Sequence, residues 1–344
     1  MVKMEVILRR GGEELLIKQV KVNSGSLLTA YLLDNSEEFA NISKRPAILI
    51  FPGGGYYGIS DREAEPIAMA YLAEGYNAVI LRYSVGKESN FTNAFSDAEK
   101  AISLIHENSD EWNIETKKVA VIGFSAGGHL AASLGTMGEL RPRAMLLGYP
   151  CILEKWNRGL AFSVPSLEKE VDNQTPPAFL FATFEDELVP VENTISFMQA
   201  LNEQKIAFES HIFQKGVHGL SLAKGQTSSG LKKLVNNDFS NWFGLSVSWL
   251  KNIFGDFPAE KESLTPDVMD TNEYSIEVRI KSLLENQQCR ELMQTYIPIL
   301  LESEAQESAK DYSIRIVNQG LPTPLSENEL NELNDQLKKI KVTE

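Results

Sequence analysis

A serine stands between two glycines directly after a run of apolar residues. The segment VIGFSAGGHL, residues 121–130, places Ser125 between Gly123 and Gly127. This spacing is typical of a sharp turn from a strand into a helix, in which glycines let the chain hold one side chain in a strained, exposed position. Ser125 is therefore a candidate nucleophile for acyl transfer. Glycines at the end of an ordinary strand give the same pattern. Whether Ser125 is a nucleophile therefore depends on whether the sequence also supplies a base and an acid.

A serine nucleophile needs a base, and the sequence offers only four histidines, His106, His129, His211 and His218. His106 ends an amphipathic segment and is predicted to lie on the surface. His129 falls one turn into the helix after Ser125, where it should pack against the sheet, and His211 falls within a strand. His218 lies in the loop segment KGVHGL, where an imidazole can reach over the top of the sheet. We predict that His218 is the base.

A cluster of carboxylates supplies the candidate acid. The apolar run AFLFATF leads directly into Glu185, Asp186 and Glu187. Catalytic groups gather at the carboxyl ends of parallel strands, and the order serine, acid, histidine along the chain is a known order for a catalytic triad. A solvated acidic turn is the alternative interpretation, and the residues alone leave the choice between Glu185 and Asp186 open.

The stabilisation of an oxyanion needs N–H donors. The run AILIF ends in PGGGY, and the backbone N–H groups of Gly54 and Gly55 are candidate donors together with that of Ala126, which follows the nucleophile. A flexible turn explains the glycines but not their place after this strand. The spacing is not that of a dinucleotide or phosphate loop. The bulky side chains of Tyr56 and Tyr57 are predicted to contact the substrate and to shorten the acyl pocket.

These residues need a framework, and the sequence predicts a parallel sheet covered by helices on both faces. Runs that are apolar on both faces are typical of strands buried on both sides. The predicted strands are 14–20 and 27–33, which could open the sheet as a hairpin, followed by 47–51, 77–83, 118–124, 143–149, 178–184 and 208–213. The predicted helices are 66–75, 93–109, 126–136, 191–204 and 230–253. The fold class is α/β.

The segment Ser60-Asp61-Arg62-Glu63 has the spacing of a helix-capping box. A helix that starts there would contain Pro66 and lose a backbone hydrogen bond. Pro66 fits better in the first turn of the following helix, so we predict that the segment is a loop.

The regular alternation of strands and helices defines the domain organisation. We predict a catalytic domain over 1–255, a linker over 256–270 and a C-terminal helical domain over 271–344. Within the catalytic domain, 150–177 lacks periodicity and is a candidate lid, with Asn157, Arg158 and Asn173 as candidate partners for substrate hydroxyls. The last helix should begin at Ser326, three residues before Glu329. Because short helices bury little surface, we expect the C-terminal helices to need a partner surface.

Composition and charge exclude several classes of partner. The chain has 344 residues, of which 43% are hydrophobic, and a formal net charge of −14. An acidic protein is a poor match for nucleic acid or for an anionic membrane, so we expect neither as a partner. Cys151 and Cys289 predict buried, reduced thiols, and we expect no metal ion and no cofactor. No apolar run reaches membrane-spanning length, which predicts a cytoplasmic protein.

The four motifs together resemble those of the α/β-hydrolase superfamily, specifically its bacterial acetylxylan-esterase-like and lipase/esterase-like group. The segments PGGGYYGISDREAEPIAMAYLAEGYNAVILRYSV (52–85) and GFSAGGHLAASLG (123–135) look like signature segments of that group, and the likeness covers roughly 40–255. The resemblance implies the α/β-hydrolase fold. It also favours Asp186 as the acid over the neighbouring glutamates.

The resemblance further implies a serine carboxylesterase that acts on a small ester, expected to be an acylated sugar with a short, acetyl-like acyl group. Ser125, His218 and Asp186 would form the catalytic triad. A serine peptidase or a lipase of the same fold is an alternative. An alternative of another class is a non-enzymatic protein that binds partners through its C-terminal helices. A homodimer is also left open.

Overall fold

The computed structural model describes residues 3–10, 13–23, 25–35, 39, 41–87, 89–259 and 265–342, except for the side chains of 3–10, 13, 14, 157 and 158. The chain divides into two compact units, Met1–Pro258 and Ala259–Glu344. Each unit has its own buried apolar core.

The first unit is built on one sheet of nine strands in the order β1-β2-β3-β5-β4-β6-β7-β8-β9. The strands are Lys3–Arg10 (β1), Glu13–Lys21 (β2), Leu27–Leu33 (β3), Arg45–Phe51 (β4), Asn77–Arg82 (β5), Ile114–Phe124 (β6), Ala144–Gly148 (β7), Ala178–Thr183 (β8) and Phe208–Phe213 (β9). The first three strands and the β3–β5 pair are antiparallel, and the other pairs are parallel. The predicted α/β class is confirmed.

Helices cover both faces of this sheet. They are Glu65–Ala73 (α1), Phe91–Glu107 (α2), Ala126–Met137 (α3), Glu192–Glu203 (α4), Asn237–Ser240 (α5) and Trp242–Phe254 (α6). Apolar residues of α2, α3 and α4 pack on one face, and those of α1 and α6 pack on the other. Strands β4 and β8 are buried along their whole length, as the uninterrupted apolar runs predict.

The sheet topology brings two predicted loops together. The chain leaves β4 for β5 on one side and later returns to β6 on the other, so β4 lies at a point where the strand order reverses. The last residues of β4 and β6 are neighbours, with Phe51 opposite Gly123. The glycine-rich segment and Ser125 therefore leave the sheet side by side at its carboxyl edge, where ligands bind in sheets of this type.

One strand was not predicted, and one helix was predicted with the wrong bounds. Strand β1 was not predicted, because charged residues at both ends leave a short apolar run and the strand pairs only with β2. The helix predicted over 230–253 is interrupted. The Asn236 side chain accepts a hydrogen bond from the backbone N–H of Phe239 and so starts the separate helix α5.

The second unit is helical. Its helices are Val268–Thr271 (α7), Ile280–Glu285 (α8), Gln287–Tyr296 (α9), Ser303–Ala309 (α10), Ile314–Asn318 (α11) and Glu327–Leu337 (α12). The predicted capping box of Ser326 and Glu329 at the start of α12 is confirmed. Leu283, Met293 and Leu333 are fully buried within this unit. The helices thus pack on one another around a common core, and the expectation that they also need a partner surface stays a prediction.

Among the residues that the structure describes, no helix is both long enough and apolar enough to cross a membrane. Cys151 and Cys289 are buried free thiols, as predicted.

Candidate active site

Ser125 occupies the turn between β6 and α3 in a conformation that L-residues rarely adopt, with φ 54° and ψ −118°. The flanking glycines are required by close backbone contacts. A Cβ on Gly123 would lie 2.0 Å from the carbonyl oxygen of Gly127, and a Cβ on Gly127 would lie 2.0 Å from that of Phe51. Any larger residue at either position would force the turn open and move the serine.

The structure brings Ser125, His218 and Asp186 into one chain of hydrogen bonds. His218 Nε2 lies 2.8 Å from Ser125 Oγ, and His218 Nδ1 lies 2.6 Å from Asp186 Oδ2. His218 follows β9, and Asp186 follows β8 at the same edge of the sheet. The geometry suits proton transfer from the hydroxyl to an imidazole that the carboxylate orients.

Asp186 is a buried acceptor with a fixed orientation. Its second oxygen, Oδ1, accepts hydrogen bonds from the backbone N–H groups of Leu188 at 3.0 Å and Val189 at 2.9 Å. Glu185, the alternative acid, is exposed and accepts from the Gly216 N–H at 3.3 Å. Of the two carboxylates, the structure therefore places Asp186 alone against the imidazole.

The predicted oxyanion donors lie beside the serine. Within the described part of the chain, the N–H groups of Gly54, Gly55 and Ala126 have no protein acceptor, whereas Gly53 N–H donates to Glu63 at 2.9 Å. Ala126 is the first residue of α3, where an N–H has no partner within the helix. An anionic oxygen near Ser125 would find these donors unused.

The other histidines are away from the hydroxyl. His129 is fully buried, with Nδ1 3.0 Å from the Tyr56 hydroxyl and Nε2 3.0 Å from the Pro165 carbonyl oxygen. Burial lowers the pKa of His129 to about 4, so this imidazole is neutral near pH 7. His211 lies in β9 with Nε2 2.8 Å from Glu209, and His106 is half-buried at the end of α2.

A cavity of about 520 Å³ opens above Ser125 and His218. It is lined by both polar and apolar side chains: Ser60, Arg62, Glu63, Cys151, Lys155, Trp156, Leu160, Leu188 and Val189. Tyr56 and Tyr57 are not in its wall. Tyr56 is fully buried against His129, and the Tyr57 hydroxyl donates to the Leu160 carbonyl oxygen at 3.3 Å. The structure thus corrects the prediction that Tyr56 contacts the substrate, because its side chain has no exposed surface.

The segment 150–177 contributes to the cavity through Cys151, Lys155, Trp156, Gly159 and Leu160. The Trp156 indole N–H donates to Glu192 of α4 at 3.2 Å, which fixes one edge of the ring. Of the three predicted hydroxyl partners, Asn173 does not line the cavity. The side chains of Asn157 and Arg158 lie outside the described residues.

Cys151 lies close to the candidate nucleophile but is not a second one. Its Sγ is 3.9 Å from Ser125 Oγ. Burial raises the pKa of the Cys151 thiol to about 12. Since the thiolate is the reactive form, very little of this thiol is reactive near pH 7.

We expect iodoacetamide near neutral pH to leave Cys151 unmodified and the activity intact, although the thiol lines the cavity. Peptide mass spectrometry after treatment measures the modification, and turnover of a small ester measures the activity. Denatured protein treated in the same way is the control and should be fully alkylated. Rapid alkylation of Cys151 in the folded protein would contradict the expected suppression of its reactivity.

In the described part of the chain, no group of three or more His, Cys, Asp or Glu side chains is arranged to hold a metal ion. The arrangement of a serine, a histidine and a carboxylate at the carboxyl edge of a mainly parallel sheet defines a protein of the hydrolase class.

Comparisons with known proteins agree with this class. The BD-FAE family profile matches residues 36–145, and the prolyl oligopeptidase family profile matches residues 148–243. The crystal structure of an α/β hydrolase enzyme from a Medee basin deep-sea metagenome library is 47% identical in sequence, with a TM-score of 0.66. The match covers 70% of this chain and 98% of that one. The chain therefore belongs to the α/β-hydrolase family of enzymes.

Two further relatives have names that specify a substrate. An acetyl ester-xyloside bifunctional hydrolase from Caldicellulosiruptor lactoaceticus is 32% identical, with a TM-score of 0.58, and the match covers 67% of this chain and 89% of that one. An acetylxylan esterase from Xylanibacter ruminicola is 29% identical over 63% of this chain. The match spans only 46% of the length of this esterase. It spans 34% of the length of a second curated relative.

Proposed function

We propose that this protein is a serine carboxylic-ester hydrolase that removes short acyl groups, acetyl above all, from carbohydrates. The observation that carries the proposal is the position of the His218 imidazole, whose Nε2 lies 2.8 Å from Ser125 Oγ and whose Nδ1 lies 2.6 Å from Asp186 Oδ2. Three unused N–H groups beside the serine support acyl transfer in particular, because this reaction develops negative charge on an oxygen.

The chemistry follows from these positions. Ser125 Oγ attacks the ester carbonyl carbon while His218 Nε2 takes the hydroxyl proton. The N–H groups of Gly54, Gly55 and Ala126 stabilise the oxyanion, and Asp186 stabilises the imidazolium. Collapse of the intermediate breaks the bond to the leaving alcohol, which receives the proton from His218. Water then attacks the acyl-enzyme by the same route and releases the acid.

The proposal of a sugar substrate is supported by the relatives and by the cavity. The name of the bifunctional hydrolase specifies acetyl esters and xylosides, and that of the acetylxylan esterase specifies acetylated xylan. The cavity wall includes Ser60, Arg62 and Lys155, which can bind hydroxyl groups, and the partly exposed indole of Trp156. A polar leaving group with one apolar face matches such a wall.

The test is acetate release from acetylated xylo-oligosaccharides by the purified protein, compared with hydrolysis of nitrophenyl acetate. Release of acetate from both substrates is expected. Hydrolysis of nitrophenyl acetate without release from any acetylated sugar would exclude the carbohydrate substrate but keep the esterase. Failure to hydrolyse either substrate would exclude the esterase.

We expect kcat/KM along a nitrophenyl series from two to eight carbons to be highest for acetate and poor for octanoate. Each methylene that binds in a fitting apolar pocket contributes roughly 0.8 kcal/mol, or about fourfold in rate, so a lipase gains steadily with chain length. The cavity wall above Ser125 also contains charged and hydroxyl groups, among them Ser60, Arg62 and Lys155, and these groups gain nothing from a longer acyl chain. A maximum at six or more carbons would contradict the proposed preference and indicate a lipase.

A serine peptidase is a second candidate, because the prolyl oligopeptidase family profile matches residues 148–243. Peptidases of this kind use the same order of nucleophile, acid and base. Proline-containing peptide nitroanilides distinguish the two candidates, since the proposed esterase should leave them intact.

A further inference from the structure

One buried carboxyl group beside the site has no part in the chemistry described above. Glu63 is 2% exposed and ends a short 3-10 turn, Asp61–Glu63, between the glycine-rich segment and α1. The sequence Ser60-Asp61-Arg62-Glu63 has capping-box spacing, but the Ser60 side chain makes no capping hydrogen bond. The Glu63 side chain instead lines the cavity above the serine. The function of this carboxyl is therefore not to cap a helix.

Both carboxyl oxygens of Glu63 accept hydrogen bonds. Oε2 accepts from Gly53 N–H at 2.9 Å, and Oε1 accepts from the Tyr149 hydroxyl at 2.5 Å. The approach is so close that a Cβ on Gly53 would lie 2.6 Å from Oε2 and 3.2 Å from the Ser125 Cβ. Burial, together with the Glu63 carboxylate, raises the pKa of Tyr149 well above its usual range, so the phenol keeps its proton and donates it.

These two bonds connect Glu63 to both halves of the catalytic apparatus. Gly53 directly precedes Gly54 and Gly55, whose N–H groups are the proposed oxyanion donors. On the other side, the Tyr149 hydroxyl accepts from the backbone N–H of Ser221 at 2.9 Å, three residues after His218 in the same loop. The Tyr149 ring also packs edge-on against the His218 imidazole, with ring centres 5.0 Å apart. One carboxylate therefore links the glycine-rich segment to the histidine loop.

A second connection runs in parallel. The Arg62 guanidinium donates to the Gly219 carbonyl oxygen at 2.9 Å, and the Ser221 hydroxyl donates back to the Arg62 carbonyl oxygen. The histidine loop is thus attached to this turn by side chains from both directions. Any shift of the turn would be transmitted to His218 as well as to the glycines.

We propose that Glu63 is a positioning residue, which holds the oxyanion donors and the His218 loop in register with Ser125 through Gly53 and Tyr149. The proposal rests on the proposed function to the extent that it takes Ser125 as the nucleophile. Substitution of Glu63 should lower the rate of the chemical step more than the binding of substrate, because these groups act on the reacting atoms.

Glutamine at position 63 is the sharpest substitution because it preserves shape. Gly53 N–H and the Tyr149 hydroxyl are both donors, and the Tyr149 oxygen already accepts from Ser221. A carboxylate accepts both hydrogen bonds, whereas an amide offers one acceptor and one donor group. Glu63→Gln must therefore leave either the Gly53 N–H or the Tyr149 O–H without its acceptor.

The experiment compares Glu63→Gln and Tyr149→Phe with Tyr71→Phe as the matched control. Tyr71 is also fully buried, and its hydroxyl lies 2.9 Å from Ser246 Oγ in the packing of α1 against α6. The readouts are kcat and KM for nitrophenyl acetate, the rate constant for labelling of Ser125 by a fluorophosphonate, and the melting temperature. The labelling rate reports the nucleophile and the oxyanion donors without requiring that the natural substrate be an ester.

We expect Glu63→Gln to lower kcat and the labelling rate by roughly 10- to 100-fold, with KM within about twofold of wild type. Tyr149→Phe should act in the same direction, and it tests the proposal if the Glu63 variant fails to fold. Tyr71→Phe should lower only the melting temperature. If Glu63→Gln and Tyr149→Phe both keep the kcat and labelling rate of Tyr71→Phe, the positioning role of Glu63 is overturned. If the wild-type protein is labelled but hydrolyses no ester, the proposed esterase is overturned, and the labelling rates still test the role of Glu63. If the wild-type protein is not labelled, the proposed esterase and the positioning role are both overturned.

Discussion

Ser125→Ala should lower kcat for nitrophenyl acetate by about a million-fold while the protein remains folded. The hydroxyl is the only group within the described residues that both lies 2.8 Å from His218 Nε2 and sits beside the three unused N–H donors. Alanine removes the oxygen that attacks and leaves the rest of the turn, including its glycines, unchanged. The residual rate should be that which the oxyanion donors and substrate binding support without a nucleophile.

Ser133→Ala is the matched control for this variant. Ser133 is fully buried two turns further along α3, where its hydroxyl donates to the His129 carbonyl oxygen at 2.8 Å. A fluorophosphonate should add its mass to the wild type and to Ser133→Ala but not to Ser125→Ala. A label found on another serine, or full turnover by Ser125→Ala, would end the assignment of the nucleophile.

His218→Ala should reduce kcat nearly as much as the serine substitution, because an unassisted serine hydroxyl is a weak nucleophile at neutral pH. Asp186→Asn should cost about 10⁴-fold, since the asparagine amide can hold the imidazole in the wrong tautomer. The acid therefore matters less than the base. Steady-state kinetics with nitrophenyl acetate measure all of these effects.

Two neighbouring substitutions separate catalysis from general damage. His211→Ala removes an imidazole from β9 that contacts Glu209, and Glu185→Gln changes the carboxylate next to the proposed acid. Both variants should keep most of the wild-type turnover. Greater damage from Glu185→Gln than from Asp186→Asn would move the acid by one residue, and an active His218→Ala would exclude this base.

The strands that carry the site could be predicted because they are buried on both faces. In β4 and β8, the runs 47–51 and 178–182 are apolar without interruption. The glycines that follow β4 and the carboxylates that follow β8 show where these strands end. Strand β1 carries no such signal, since an edge strand with charged ends resembles many surface segments. The break before α5 depends on one side-chain contact of Asn236, which helical periodicity does not report.

Candidate site residues could be predicted from the sequence where the chemistry restricts the residue type. They could not be predicted where the role depends on the direction in which the side chain points. Four histidines and one chain order left few choices for the base. Tyr56 was assigned to the substrate because it follows the glycines, but its backbone has φ 61°, and the side chain turns inward to His129. The role proposed for Glu63 was missed for a related reason, because the segment was predicted to be a loop and its sequence does not show that the Glu63 side chain turns toward Gly53 and Tyr149.

The backbone at Ser125 has a consequence for the free energy of unfolding. A residue with a Cβ held near φ 54° and ψ −118° makes the folded state less favourable by about 1–3 kcal/mol. The free energy of unfolding of a domain is typically only about 5–15 kcal/mol. The strain at this one residue is therefore a measurable fraction of it. Glycine would relieve this strain but has no hydroxyl to offer. The chain therefore keeps, at the position of the proposed nucleophile, a residue that is worse for folding than glycine.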